Sequence, residues 1–120
     1  FILKELINRK FYFIINAMRW LMKLYFDEQD VANAICVFVA DLEQTRPENV
    51  QIEFQFDEDE GVSCQVNANH QYFKYGEQQI SDAIGFYLDE IHRFSSHAME
   101  IFIGFDDEEG ITSEISFTNS

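Results

Sequence analysis

The chain repeats itself. Displaced by 49 residues, positions 26–69 align with 75–118 without a gap, and nine of the 44 pairs are identical. These are Glu28/Glu77, Gln29/Gln78, Ala34/Ala83, Ile35/Ile84, Ile52/Ile101, Phe56/Phe105, Asp57/Asp106, Glu60/Glu109 and Gly61/Gly110. Others keep their physical role, among them Val31/Ile80, Phe38/Tyr87, Val39/Leu88, Leu42/Ile91, Val62/Ile111 and Val66/Ile115. Periods of this length mark a repeated structural unit, and they have to be recognised before any shorter motif is read. The alignment predicts two tandem β-α-β-β units, 22–70 and 71–120, related by a pseudo-twofold axis.

Local patterning fills in each unit. Val31, Ala34, Ile35, Phe38, Val39 and Leu42 recur at helical spacing, which predicts a helix over 28–43. Ile80, Ala83, Ile84, Tyr87, Leu88 and Ile91 predict its counterpart over 77–92. Asp27 is placed to cap the first helix, and Gly76 with Gln79 the second. Small residues flank both apolar stripes: Ala32, Cys36 and Ala40 on one helix, Ser81 and Gly85 on the other. They predict close approach of the two helices.

After each helix the period changes to two. Val50, Ile52, Phe54 and Phe56 alternate with Gln51, Glu53 and Gln55. Val62, Cys64, Val66 and Ala68 repeat the inward pattern, as do Met99, Ile101, Ile103 and Phe105, and then Ile111, Ser113, Ile115 and Phe117. One apolar and one mostly wet face is the pattern of an antiparallel sheet covered on one side. The fold class expected is therefore α+β in two layers, a mainly antiparallel sheet with two helices on one face. Lys23–Phe26 and Gln71–Tyr75 are expected as short leading strands that extend the sheet.

Charge narrows the range of functions. The net charge is −14; residues 1–21 carry +3 through Lys4, Arg9, Lys10 and Arg19 against Glu5, which leaves −17 on 22–120. So acidic a surface repels phosphate, excluding nucleic acid and anionic membranes as expected partners. Two cysteines, Cys36 and Cys64, make no disulfide framework, and a reducing cytosol is the expected location. At 120 residues the chain is one domain able to bury a core without staples.

Residues 1–21 differ in kind from the rest. The uncharged run 11–18 is far short of the ~20 apolar residues a membrane-spanning helix needs, and no small-x-small cleavage pattern follows it. Met18-Arg19-Trp20 can be written AUG-AGG-UGG, a ribosome-binding-like stretch just before Met22. Translation is therefore expected to start at Met22, with 1–21 an upstream reading frame; the rival is an amphipathic helix docked on the domain. Sequencing the native N-terminus decides between them.

The acidic stretch "FDEDEGV" (56–62) returns as "FDDEEGI" (105–111). A calcium loop of EF-hand type needs Gly at its sixth position and Glu at its twelfth. Counted from Asp57 or Asp106, Gly comes fifth, and Ala68 or Phe117 stands twelfth. The reading is a hairpin turn whose Gly61 or Gly110 supplies a positive φ. Asp57, Asp59, Asp106 and Asp107 remain weak candidates for a divalent cation.

No catalytic motif is present: G-x-S-x-G, a phosphate-cradling Gly loop and HExxH are all missing. Cys36 and Cys64 read as packing residues, and His92 and His97 lack the spacing of a zinc-binding helix. An enzyme would need a deep pocket lined by His70, His92 or Cys64. No enzyme and no cofactor is expected. Phe102 breaks the polar rule on the outward sheet face, and Tyr25 and Tyr72 share that phase. Phe86, with Val37 at the matching position, lies off the core stripe. Tyr25, Tyr72, Phe86 and Phe102 are accordingly the candidate interaction residues.

From Met22 onward the chain resembles the YxcD-like family of small Bacillus proteins. "LYFDEQDVANAICVFVA", "FDEDEG", "AIGFYLDEIHRF" and "FDDEEGI" carry the resemblance. It implies an intracellular bacterial protein of this length with no assigned activity and no catalytic residues to carry across. The function expected is a noncatalytic protein-interaction module, binding itself or a basic protein, with a nucleic-acid-mimicking inhibitor or immunity protein as one specific form. The alternative is a weak divalent-cation binder at the two acidic hairpin loops.

Overall fold

The structure, a computed structural model, describes residues 23–92 and 99–117, the side chains at 91 and 92 excepted. The expectations for residues 1–21, Met22 and His97, and for the side chains of Ile91 and His92, lie outside the described residues. The elements are β1 (Lys23–Phe26), α1 (Glu28–Glu43), a 3-10 turn (Pro47–Asn49), β2 (Gln51–Asp57), β3 (Gly61–Ala68), β4 (Gln71–Tyr75), α2 (Glu77–His92), β5 (Met99–Asp106) and β6 (Gly110–Phe117).

Both helices begin as their caps predict. Asp30 N–H donates to Asp27 Oδ1 at 2.9 Å while Asp27 N–H donates to Asp30 Oδ2 at 3.1 Å, a reciprocal capping box. At α2, Gly76 N–H donates to Gln79 Oε1 at 2.9 Å. The far end of α1 is stopped by Gln44 in the left-handed region, and Asn69 Nδ2 donates to the Glu43 carbonyl at 2.8 Å. Asn69 and His70 both have positive φ, 51° and 65°, and make the tight turn from β3 to β4.

The single sheet expected from patterning is corrected. The strands form two three-stranded antiparallel sheets, ordered β1-β6-β5 and β2-β3-β4. Each leading strand joins one hairpin: β1 pairs with β6, Leu24 opposite Ile115, and β4 pairs with β3, Phe73 opposite Val66. No ladder among the described residues connects β2 to β5, so both are edge strands.

Helices and sheets enclose one core. Val31, Ala34, Ile35 and Val39 of α1 meet Ile80, Ala83, Ile84 and Leu88 of α2, all fully buried. The middle strands β3 and β6 bury their inward rows, Val62, Cys64 and Val66 on one, Ile111, Ser113 and Ile115 on the other. Ser113 is the one polar side chain there, and its hydroxyl donates to the Phe102 carbonyl at 2.9 Å. Three residues expected in the core are largely exposed. Leu42, in the last turn of α1 beyond the core cluster, is 57% exposed. Phe56 and Phe105 stand on edge strands and stack on each other, 47% and 43% exposed.

The helices do touch, but rings rather than only small residues make the contact: Phe38 meets Phe86 edge-on at 5.4 Å. Ser81 and Gly85 instead line an open groove of about 400 Å³ with Phe86, Met99 and Ile101. At the position matching Gly85, the Cys36 thiol reaches the Val50 carbonyl at 3.8 Å. Gly85 has no side chain to do the same.

Candidate interaction surface

The outward face of the β1-β6-β5 sheet carries the most distinctive row of side chains. Glu114 on β6 stands opposite Tyr25 on β1 and opposite Phe102 on β5. All three therefore project from one face, the two aromatics separated by two strand spacings, roughly 10 Å. Tyr25 is 64% and Phe102 58% exposed. The Tyr25 hydroxyl hydrogen-bonds to Glu114, and Lys23 Nζ lies 3.4 Å from Glu114 Oε1. The hydrogen bond from Tyr25, and then Lys23, holds the Glu114 carboxyl below its ordinary range, while the same bond raises the Tyr25 phenol.

Beside this row runs an open groove of about 600 Å³, lined by Tyr25, Phe26, Asp27, Asp30, Glu109 and Glu114 among others. In the other sheet the corresponding row is Lys74–Gln65–Glu53, without an aromatic. Tyr72 is the most exposed of the candidates, at 77%, but belongs to that second sheet. Phe86 is half-buried against Phe38 on the helices. Of the four interaction candidates, the structure thus brings Tyr25 and Phe102 together and places Tyr72 and Phe86 elsewhere.

The acidic tips are hairpin turns built alike. Asp57 Oδ1 accepts from the N–H groups of Asp59 at 2.7 Å and Glu60 at 3.1 Å. Asp106 Oδ1 accepts from Glu108 at 2.7 Å and Glu109 at 3.1 Å. These bonds favour the ionised carboxylate and lower both acids from their ordinary value. Gly61 and Gly110 follow with φ of 83° and 80°. Neither can be replaced freely, because the first residue of a helix presses on each: Glu77 lies where a Cβ on Gly61 would stand, and Glu28 does the same at Gly110. Val62 N–H donates to Glu77 Oε2 and Ile111 N–H to Glu28 Oε1, both at 2.9 Å. Each helix therefore clamps the hairpin of the opposite half of the sequence. Among the described residues no group of three or more His, Cys, Asp or Glu side chains is placed to hold a metal ion.

The thiols and His70 form no reactive set. Cys64 is fully buried, and burial pushes its pKa up to about 12. Burial likewise raises Cys36, which is half-buried. His70 is exposed in its turn.

What sequence reasoning missed is the pair Phe56 and Phe105. Their rings stack at 4.5 Å with planes 12° apart, and they are still 47% and 43% exposed. The available signal was their identity in the 49-residue alignment, immediately before each acidic run.

A protein family described as "Protein of unknown function (DUF2653)" matches residues 21–115. The chain belongs to this DUF2653 family. The match takes in every described element except the end of β6, so the α+β architecture set out above is that of a DUF2653 domain. Neither a curated protein nor a solved structure matches the chain. No helix among the described residues is long and apolar enough to cross a membrane.

Proposed function

We propose that this DUF2653 domain is a noncatalytic protein-interaction module that binds a basic protein or a second copy of itself through the outer face of the β1-β6-β5 sheet. The observation that carries the reading is the row Tyr25–Glu114–Phe102, two exposed aromatics astride a carboxylate. Exposed aromatics supply large contact area at low entropic cost, and a central carboxylate gives polarity and register. The net charge of −14 favours a basic partner over self-association.

The test compares immobilised wild type with Tyr25→Ala/Phe102→Ala in source-cell extract at about 50 and about 500 mM salt, alongside light scattering for oligomeric state. A partner held by wild type at low salt only, and not by the double variant, is expected. Equal capture by the variant, or capture indifferent to salt, removes the reading.

The cation-binding alternative has less support, since Asp57 and Asp106 already spend one oxygen each on their own turns. Calorimetry with calcium, magnesium and manganese tests it directly; heat at millimolar metal, lost on Asp59→Asn/Asp107→Asn, would reinstate it.

Two finer points belong to the same proposal. Tandem duplication of a half-length unit is supported by the paired interactions 49 residues apart: the two Asp turns, the two glycines of positive φ and the two Glu clamps. The cytosol, and kinship within the family to YxcD-like Bacillus proteins, are supported by two free cysteines and by the segments quoted above.

A further inference from the structure

A second surface has its own chemistry. Phe56 and Phe105 each stand one residue from the end of their strand, directly before Asp57–Glu60 and Asp106–Glu109. Because the two rings stack, the two acidic tips are rooted at one place, one on either side of the pair. Even when stacked, each residue stays nearly half exposed. Behind it the apolar rows continue into Ile52, Phe54, Ile101 and Ile103, which are only partly buried because β2 and β5 are edge strands.

The charge around the rings is left largely uncompensated. Lys74 approaches Glu60 at 3.5 Å, both side chains being well exposed. Among the described residues no ion pair reaches the Asp106–Glu109 tip. We infer that the Phe56–Phe105 stack with its two acidic flanks docks a basic segment of another protein, one that places a single apolar side chain on the rings and cationic residues on either side. Charge complementarity selects this occupant. A second copy would bring acidic tips against acidic tips, and the same repulsion acts on nucleic acid. The inference shares with the previous section a basic protein as the partner; it places that partner on different aromatic residues.

The probe is a synthetic heptapeptide with a central leucine and three lysine or arginine residues on each side, titrated into the full chain by calorimetry. Replacing its leucine by serine is expected to weaken binding about tenfold, the value of an apolar side chain taken out of water. Phe56→Ser/Phe105→Ser, its fold checked by circular dichroism, should cause a similar loss. Glu58→Gln/Asp59→Asn/Asp107→Asn/Glu108→Gln, which leaves the turn-forming Asp57 and Asp106 intact, should remove most of the salt dependence. Tyr25→Ala/Phe102→Ala should bind the peptide as wild type does. The inference is overturned by no binding to wild type, by leucine and serine peptides bound alike, or by binding unchanged when the ring pair is removed from a folded chain. Loss of peptide binding only in Tyr25→Ala/Phe102→Ala would overturn it too, while leaving the outer-sheet reading in place. A dimer of wild type that the Phe56/Phe105 variant abolishes would make a second copy the occupant, and that also overturns it.

Discussion

Burial holds the Cys64 thiol at about 12, so at pH 8 almost none of it is the reactive thiolate. Alkylation of Cys64 in the folded chain should run roughly a thousandfold slower than in denaturant. Mass spectrometry of time points checks this; equal rates would mean the strand opens readily. At the other extreme of exposure stand Asp57 and Asp106. Each is depressed by two backbone N–H donors, so its contribution to stability is present above the unfolded aspartate value and fades as pH falls through the lower folded value. Carboxyl resonances of both should titrate with midpoints below the ordinary 3.8. Midpoints at or above it would mean that the turn bonds do not persist in solution. Asp57→Asn should keep the turn, since an amide oxygen accepts as well, whereas Asp57→Ala should not.

Helices and hairpins are joined by the Glu28 and Glu77 clamps, and the glycines beneath them are the sensitive points. Gly61→Ala and Gly110→Ala both meet a positive φ and a neighbouring carboxylate, and each should cost at least about 1 kcal/mol in urea unfolding. Gly104→Ala meets only ordinary contact with Thr112 and should stay within about 0.5 kcal/mol. Helix faces divide in the same way. Ile84→Ala opens a hole in the core and should cost about 2–5 kcal/mol. Leu42→Ala, on the same apolar stripe by spacing, should be near neutral because the side chain is mostly in water. Similar losses for both would show that Leu42 is covered in solution.

For the whole molecule, the interleaving of halves matters most. β1 lies on β6 and β4 on β3, while Glu28 clamps Ile111 and Glu77 clamps Val62. A fragment ending at Ala68 leaves β1 without its ladder and α1 without the hairpin it holds. Such a fragment should show no cooperative thermal transition as a monomer, and a monomer that melts cooperatively would contradict the shared core. The acidic charge acts on the intact domain as self-repulsion, so salt between about 0.05 and 0.5 M should raise the Tm.

Periodicity is a property of neighbouring residues, and the chain states it plainly. Both 16-residue helices, the Asp27 and Gly76 caps and the glycine turns were legible from spacing alone. So were the outward phase of Tyr25, Tyr72 and Phe102 and the inward phase of Ser113. Strand order is different, because it depends on contacts between residues far apart in sequence. The alternation in Ile52–Phe54–Phe56 reads like that in Val62–Cys64–Val66, yet one row lies on an edge strand and is partly in water while the other is sealed between neighbours. Only the tertiary structure could divide the strands into two sheets, seat Tyr25 and Phe102 on either side of Glu114, and bring Phe56 against Phe105.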